Sequence, residues 1–139
     1  MTAEPTSIRE ATAERRRALR DETMAIMAQE YASRLRLSEV ARRIGASPRG
    51  LQRALAESGD GSFTRALKTT RLRAGAQLIA SSCLPISEVG RKVGYASAEH
   101  FTRAFRQEYG LAPRAFRSAC RARSADSTLE EPSPARTAA

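Results

Sequence analysis

The stretch LSEVARRIG, Leu37 to Gly45, returns as ISEVGRKVG, Ile86 to Gly94, 49 positions later. Each copy runs into a second apolar pattern of the same outline: Ser47, Leu51, Arg53, Ala54 and Leu55, then Ser97, Phe101, Arg103, Ala104 and Phe105. The second half is offset by 50, so the later copy carries one extra residue in its turn. A short helix, a glycine-containing turn and a second helix with an apolar inner face form the layout of a helix-turn-helix, whose second helix enters the DNA major groove. The repeat therefore predicts two reading heads on one chain.

The flanking sequence predicts helices throughout. Residues 8–33 lack Gly and Pro, and Leu19, Thr23, Ile26, Met27, Glu30 and Tyr31 form a partial 3.6-period stripe, so Glu14–Ala32 at least should be helical. Residues 1–13 are expected to be a disordered or frayed arm. Ser38 and Ser87 are expected N-caps of the two first helices, which Gly45 and Gly94 end. Ser47, followed by Pro48, and Ser97 are expected to cap the second helices. The first motif then covers about 37–57 and the second about 86–109, with Ser58-Gly59-Asp60-Gly61 and Gly110 as stops. Between them Ser62–Ser81 reads as a linker helix of about 30 Å at ~1.5 Å per residue. A last short helix is expected over Pro113–Arg121, inside a folded region of 14–121. Residues 122–139 are small, polar and Pro-interrupted, the composition of a disordered tail. Nothing alternates at period 2, so the fold class is all-α with about seven helices.

Charge narrows the partners. Residues 31–125 carry a net +12, whereas residues 1–30 carry −1 and residues 126–139 carry −2. Positive charge concentrated on the repeat points to a polyanion, duplex DNA first. Arg outnumbers Lys 22 to 2, which suits phosphate and guanine edges but equally fits a GC-rich genome. Cys83 and Cys120 are too few and too far apart for a disulfide framework or a zinc site. The sequence offers no nucleophile–base pair, phosphate loop or metal cluster, so no enzymatic activity, cofactor or metal is expected. No apolar run reaches ~18 residues and no signal-peptide core precedes the repeat; a soluble, intracellular protein with no membrane contact is expected.

Helical spacing separates the faces of the second helices. Leu51, Ala54 and Leu55 share the inner side of the first, while Arg49, Gln52 and Arg53 lie on another side. In the second, Phe101, Ala104, Phe105 and Tyr109 point inward, and Glu99, Thr102, Arg103 and Arg106 outward, with Ala98 and His100 near the start. Arg forks onto guanine, Gln onto adenine, Glu accepts from cytosine N4 and Thr touches a thymine methyl. Candidate base contacts are thus Arg49, Gln52, Arg53, Ala98, Glu99, His100, Thr102 and Arg103. Glu99 has a second reading, an i, i+4 ion pair that restrains Arg103. Candidate phosphate contacts are Arg42, Arg43, Ser47, Lys68, Arg71, Arg91, Lys92, Ser97, Arg106 and Arg114, with Arg73 and Arg117 read as phosphate-facing or solvent-facing.

These residues carry a resemblance to the DNA-binding domain of the AraC/XylS transcription regulators. ISEVGRKVGYASAEHFTRAFRQEYGLAPRAFR (Ile86 to Arg117) is similar to that family's strongest stretch, and GSFTRALKTTRLRAGAQLI (Gly61 to Ile79) resembles its linker helix. The similarity extends over about residues 25–117. It implies a homeodomain-like pair of helix-turn-helix subdomains and a sequence-specific regulator that binds an asymmetric promoter site as a monomer. It also implies activation through RNA polymerase, a cytoplasmic, nucleoid-associated bacterial location and a short, stand-alone form without an effector domain. Gly75 and Gly90 stand where the family usually has Ala, and Leu55 where Phe is common; each glycine should weaken its helix by up to ~1 kcal/mol. Two other classes compete: a non-specific nucleoid-type DNA-binding protein, and a partner-binding helical module.

Overall fold

The computed structural model describes residues 5–130, with side chains described over residues 10–125. Seven α-helices and no strands occur among the described residues: α1 Pro5–Glu30, α2 Leu37–Arg43, α3 Pro48–Glu57, α4 Phe63–Ser81, α5 Ile86–Lys92, α6 Ala98–Tyr109 and α7 Pro113–Glu130. They form two compact units, one through Arg73 and one from Ala74.

Both outer helices are longer than expected. α1 starts at Pro5 rather than Glu14, so the segment read as a frayed arm is helical from Pro5 onward. Pro suits a first turn, and the Ala, Arg and Glu that follow are strong helix formers with no breaker among them. α7 continues past Arg121 to Glu130, because residues 122–130 contain neither Gly nor Pro. Residues 1–4 and 131–139, the outermost parts of the expected arm and tail, lie outside the described residues.

In the first unit α1 lays Leu19, Thr23 and Met27 into the core, and Ile26 and Tyr31 pack at its edge. Thr23 is fully buried, and its hydroxyl donates to the Leu19 carbonyl at 2.8 Å. Val40 and Ala41 of α2, Leu51 and Leu55 of α3, and Phe63 and Leu67 of α4 complete this cluster. Leu55 is fully buried although smaller than the usual Phe. Ion pairs pin α1 to its neighbours: Arg16 to Glu57, Arg20 to Asp60 at 2.8 Å, and Glu30 to Arg43 at 2.6 Å. The Asp60 carboxylate, with Asp21 beside it, holds the Arg20 guanidinium protonated far beyond its ordinary range.

The turns follow the glycines. After α2 the Gly45 N–H donates to Arg42 O and the Ala46 N–H to Ala41 O; after α5 the same pair runs from Gly94 to Arg91 and from Tyr95 to Gly90. This doubly bonded helix end needs a left-handed residue, and Gly45 and Gly94 supply φ values of 70° and 101°. Five residues separate α5 from α6 where four separate α2 from α3. The added residue is Ala96, since Tyr95 takes the place of Ala46, and the Tyr95 ring meets Phe101 edge-on at 5.5 Å.

The first helices are not capped as expected. α2 and α5 begin one residue before Ser38 and Ser87, behind Arg36 and Pro85, and neither has a side-chain cap. Each serine therefore sits inside the first turn instead of ahead of it. Ser47 and Ser97 do cap, accepting the Gly50 and His100 N–H at 3.0 and 3.1 Å.

The second unit is built on Ile79, Val89, Val93, Phe101, Ala104 and Phe105, all buried. Phe105 stacks with Tyr109 at 4.6 Å and meets Phe116 of α7 edge-on at 5.2 Å. The Arg117 Nε donates to Ile79 O at 3.1 Å, tying α7 to the end of α4, so Arg117 serves the fold. Gly75 and Gly90 do not leave slack. A Cβ on either would lie 2.9 Å from Phe101, so the absent methyl is space that the ring already occupies.

Candidate nucleic-acid interface

Each second helix turns its apolar side into its unit and leaves a charged side exposed. On α3, Leu51, Ala54 and Leu55 are buried while Arg49 and Arg53 are exposed. On α6, Phe101, Ala104 and Phe105 are buried, and Ala98, Glu99, His100, Arg103 and Arg106 are exposed, with Thr102 half-buried. Arg53 and Arg103, at matching places in the repeat, carry no hydrogen bond or ion pair among the described residues, and neither does Arg49. Glu99 does not pair with Arg103, so the restraining role read for it is absent and both groups stay available.

The outer side of α6 forms an open cleft of about 610 Å³ lined by Ala98, Glu99, Thr102, Arg103, Arg106 and Gln107. Gln107 was not singled out from sequence, although its i+4 spacing from Arg103 places it one turn further along the same stripe. A second depression, about 260 Å³, is lined by Arg36, Ser38, Glu39 and Arg42 at the start of α2. Arg36 was also missed; its place immediately before the helix is the signal that exposes it.

Three candidates have hydrogen-bond partners within the protein. The Gln52 side-chain carbonyl accepts the Phe63 N–H at 2.8 Å, capping α4 from a half-buried position. The Arg71 guanidinium donates to Tyr31 O at 2.7 Å and Ser33 O at 2.9 Å, closing the chain after α1 against α4. Arg43 grips both Glu30 carboxylate oxygens, at 3.0 and 2.6 Å. That contact holds the Glu30 carboxyl below the usual carboxylate range and raises the Arg43 guanidinium. Backbone carbonyls and carboxylates accept from a guanidinium just as phosphate oxygens do, and sequence spacing does not distinguish them.

The remaining phosphate candidates are at the surface. Arg42, Lys92, Arg106 and Arg114 are exposed and Lys68 is half-buried. Arg91 is exposed at the far edge of an ion pair with Glu88, 4.0 Å away. Ser47 and Ser97 use an oxygen lone pair in capping and keep the hydroxyl hydrogen as a donor. Among the described residues no group of His, Cys, Asp and Glu is arranged to hold a metal ion, and no helix is long and apolar enough to cross a membrane.

A helix-turn-helix domain family model matches residues 40–119, more than half of the chain. The chain is an AraC-type helix-turn-helix protein. Among relatives of this type, the virulence regulon transcriptional activator VirF of Shigella flexneri is 29% identical over 96 residues, 69% of this chain and 36% of VirF. The C-terminal domain of AraT, a response regulator from Geobacillus stearothermophilus, superposes with a TM-score of 0.65 at 31% identity, covering 73% of this chain and 84% of that domain. The DNA-binding domain of the global transcriptional factor AdpA, solved in complex with a target DNA, gives 0.68 at 25% identity, covering 74% and 93%. The chain thus spans about a third of VirF and nearly all of the AdpA domain. The AraC-type family and fold are those of transcription regulators, not of enzymes.

Proposed function

We propose that this AraC-type protein is a sequence-specific transcription regulator that reads an asymmetric promoter site with α3 and α6 in successive major grooves. The observation that carries the reading is the uncommitted guanidinium at the same place on both helices, Arg53 and Arg103, each on a helix that follows a glycine turn and a serine cap. Arg49 joins the α3 head, and Glu99, His100 and Thr102 the α6 head, with Ala98 free to meet a thymine methyl. Arg42, Lys68, Arg91, Lys92, Arg106 and Arg114, with the Ser47 and Ser97 hydroxyls, form the phosphate-contacting set. Gln52, Arg43 and Arg71 drop out of the interface because their partners lie within the protein.

The heads are unequal, so one monomer suffices for an asymmetric site, its two segments about 34 Å apart on one DNA face. Any mismatch with straight DNA is met by bending the duplex, at about 1–6 kcal/mol. AdpA's domain binds a target DNA and VirF is an activator, which supports DNA as the partner here and activation, by recruitment of RNA polymerase, as the outcome. Action at a promoter places the protein in the bacterial cytoplasm on the nucleoid.

Selection of bound sites from a random DNA pool tests the proposal, followed by binding of Arg53→Ala and Arg103→Ala to the selected site and its single-base variants. Each substitution should cost about 1–3 kcal/mol and relax preference at one position. Equal weakening on every sequence, or selection of no common site, would leave a non-specific DNA-binding protein.

A further inference from the structure

We propose that Gly75 and Gly90 are positioning residues for the second reading helix: their bare α-carbons seat Phe101, and with it α6, at the depth that fixes where Thr102 and Arg103 meet base edges. This inference rests on the reading of α6 as a base-contacting helix.

Phe101 is fully buried and immediately precedes Thr102 and Arg103. Two helices close on it. A Cβ at Gly75 of α4 would stand 2.9 Å from Phe101 Cε1 and 3.0 Å from Cζ; at Gly90 of α5 it would stand 2.9 Å from Cβ, 3.0 Å from Cγ and 3.2 Å from Cδ2. Ordinary contact starts at 3.4 Å. Helix propensity favours Ala at both positions, so the substitutions would stabilise the helices if the glycines had no packing task.

The two clashes differ in kind. Gly75 faces the far edge of the ring, whose escape by torsion is limited by the Tyr95 and Phe105 rings beside it. Gly90 faces the root of the side chain, and Phe101 Cβ moves only with the α6 backbone. Reaching ordinary contact there requires about half an ångström, which is the whole width of the ~2.7–3.2 Å hydrogen-bond range on which a base-edge contact depends. Tyr95 at 5.5 Å and Phe105 at 5.7 Å box the ring in on other sides. The first motif divides the volume differently: Ala41 occupies the place of Gly90 and Leu51 that of Phe101, both fully buried. Each motif thus has its own spacer between supporting helix and reading helix.

The test uses the full chain and the DNA site selected from a random pool, with binding measured by fluorescence anisotropy against every single-base variant of that site. Gly90→Ala should lower affinity about tenfold and shift preference in the α6 half alone, leaving the α3 half unchanged. Phe101→Leu removes Cε1 and Cζ but keeps Cβ and Cγ. Gly75→Ala combined with Phe101→Leu should therefore match Phe101→Leu alone, whereas Gly90→Ala combined with Phe101→Leu should remain shifted from it. A folded Gly90→Ala chain with wild-type preferences in both halves overturns the proposal. If circular dichroism shows Gly90→Ala unfolded, Gly75→Ala decides: a shift confined to the α6 half and abolished by Phe101→Leu supports the proposal, and no shift overturns it. Arg103→Ala on the same panel separates the two levels. If it changes no preference, the base-reading role of α6 fails and this inference with it; if it does and Gly90→Ala does not, only the inference fails.

Discussion

Arg71→Ala distinguishes a strut from a DNA contact. The guanidinium gives two charge-assisted hydrogen bonds, a half-buried one to Tyr31 O at 2.7 Å and an exposed one to Ser33 O at 2.9 Å. A hydrogen bond to a charged group contributes about 1.5–3 kcal/mol when shielded, and an exposed one far less because water replaces it. The expected loss is about 2 kcal/mol, which lowers the melting temperature of a unit this small by roughly 8–16 °C. Arg71→Lys keeps the charge without the planar fork and should recover part of that loss. The assay pairs thermal denaturation with DNA affinity measured across a salt series. Each phosphate contact contributes about 0.9 to the slope of log affinity against log salt, and the strut predicts a slope identical to wild type in the folded variant. An unchanged melting temperature together with a slope reduced by about one would refute the assignment.

Two further outcomes follow from the same reassignment of residues. Gln52→Ala should destabilise the chain by about 1 kcal/mol, the usual effect of losing a helix cap, and leave every base preference intact; a changed preference at one position would return Gln52 to the interface. Glu30 should titrate below 4.5, its ordinary value, because the Arg43 fork binds its charged form, and Arg43→Ala should restore ordinary titration in carbon-detected NMR. Since the folded-state value is the depressed one, the pair stabilises the fold above 4.5 and that contribution is lost as the pH falls through the lower folded value. A Glu30 titration indifferent to Arg43→Ala would contradict the pairing.

The helices and their punctuation were legible because backbone chemistry is local. Gly45 and Gly94 end helices wherever a left-handed residue is needed, and Ser47 and Ser97 cap whatever follows them. The inner faces were legible from 3.6-residue spacing. The limits of α1, α2, α5 and α7 were misjudged where a local signal was weak or ambiguous: Ser38 and Ser87 are good caps by type but lie two residues past the cap position, and the ends of α1 and α7 carry no breaker. The exposure of Arg49, Arg53 and Arg103 was legible, because it follows from their register opposite buried residues. The bonds that Gln52, Arg43 and Arg71 make within the protein were not legible, because their partners Phe63, Glu30 and Tyr31 are 11, 13 and 40 residues away. Gly75 and Gly90 were misread for the same reason. Propensity counts a glycine's cost within its own helix, and the compensating ring comes from another.

The ion pair between Arg16 and Glu57 has an effect on a residue that neither of them touches. Glu57 follows Arg53 by four positions on α3, the spacing at which a carboxylate neutralises an arginine on the same helix. With Arg16 of α1 already on that carboxylate, Glu57 is a poor competitor for Arg53, which carries no ion pair among the described residues. The second motif has no such rival, because the matching place after Arg103 is the neutral Gln107. The N-terminal helix is thus more than a lid on the first unit: it acts as an intramolecular decoy that occupies the carboxylate one turn beyond Arg53, from an arginine 37 residues upstream of it.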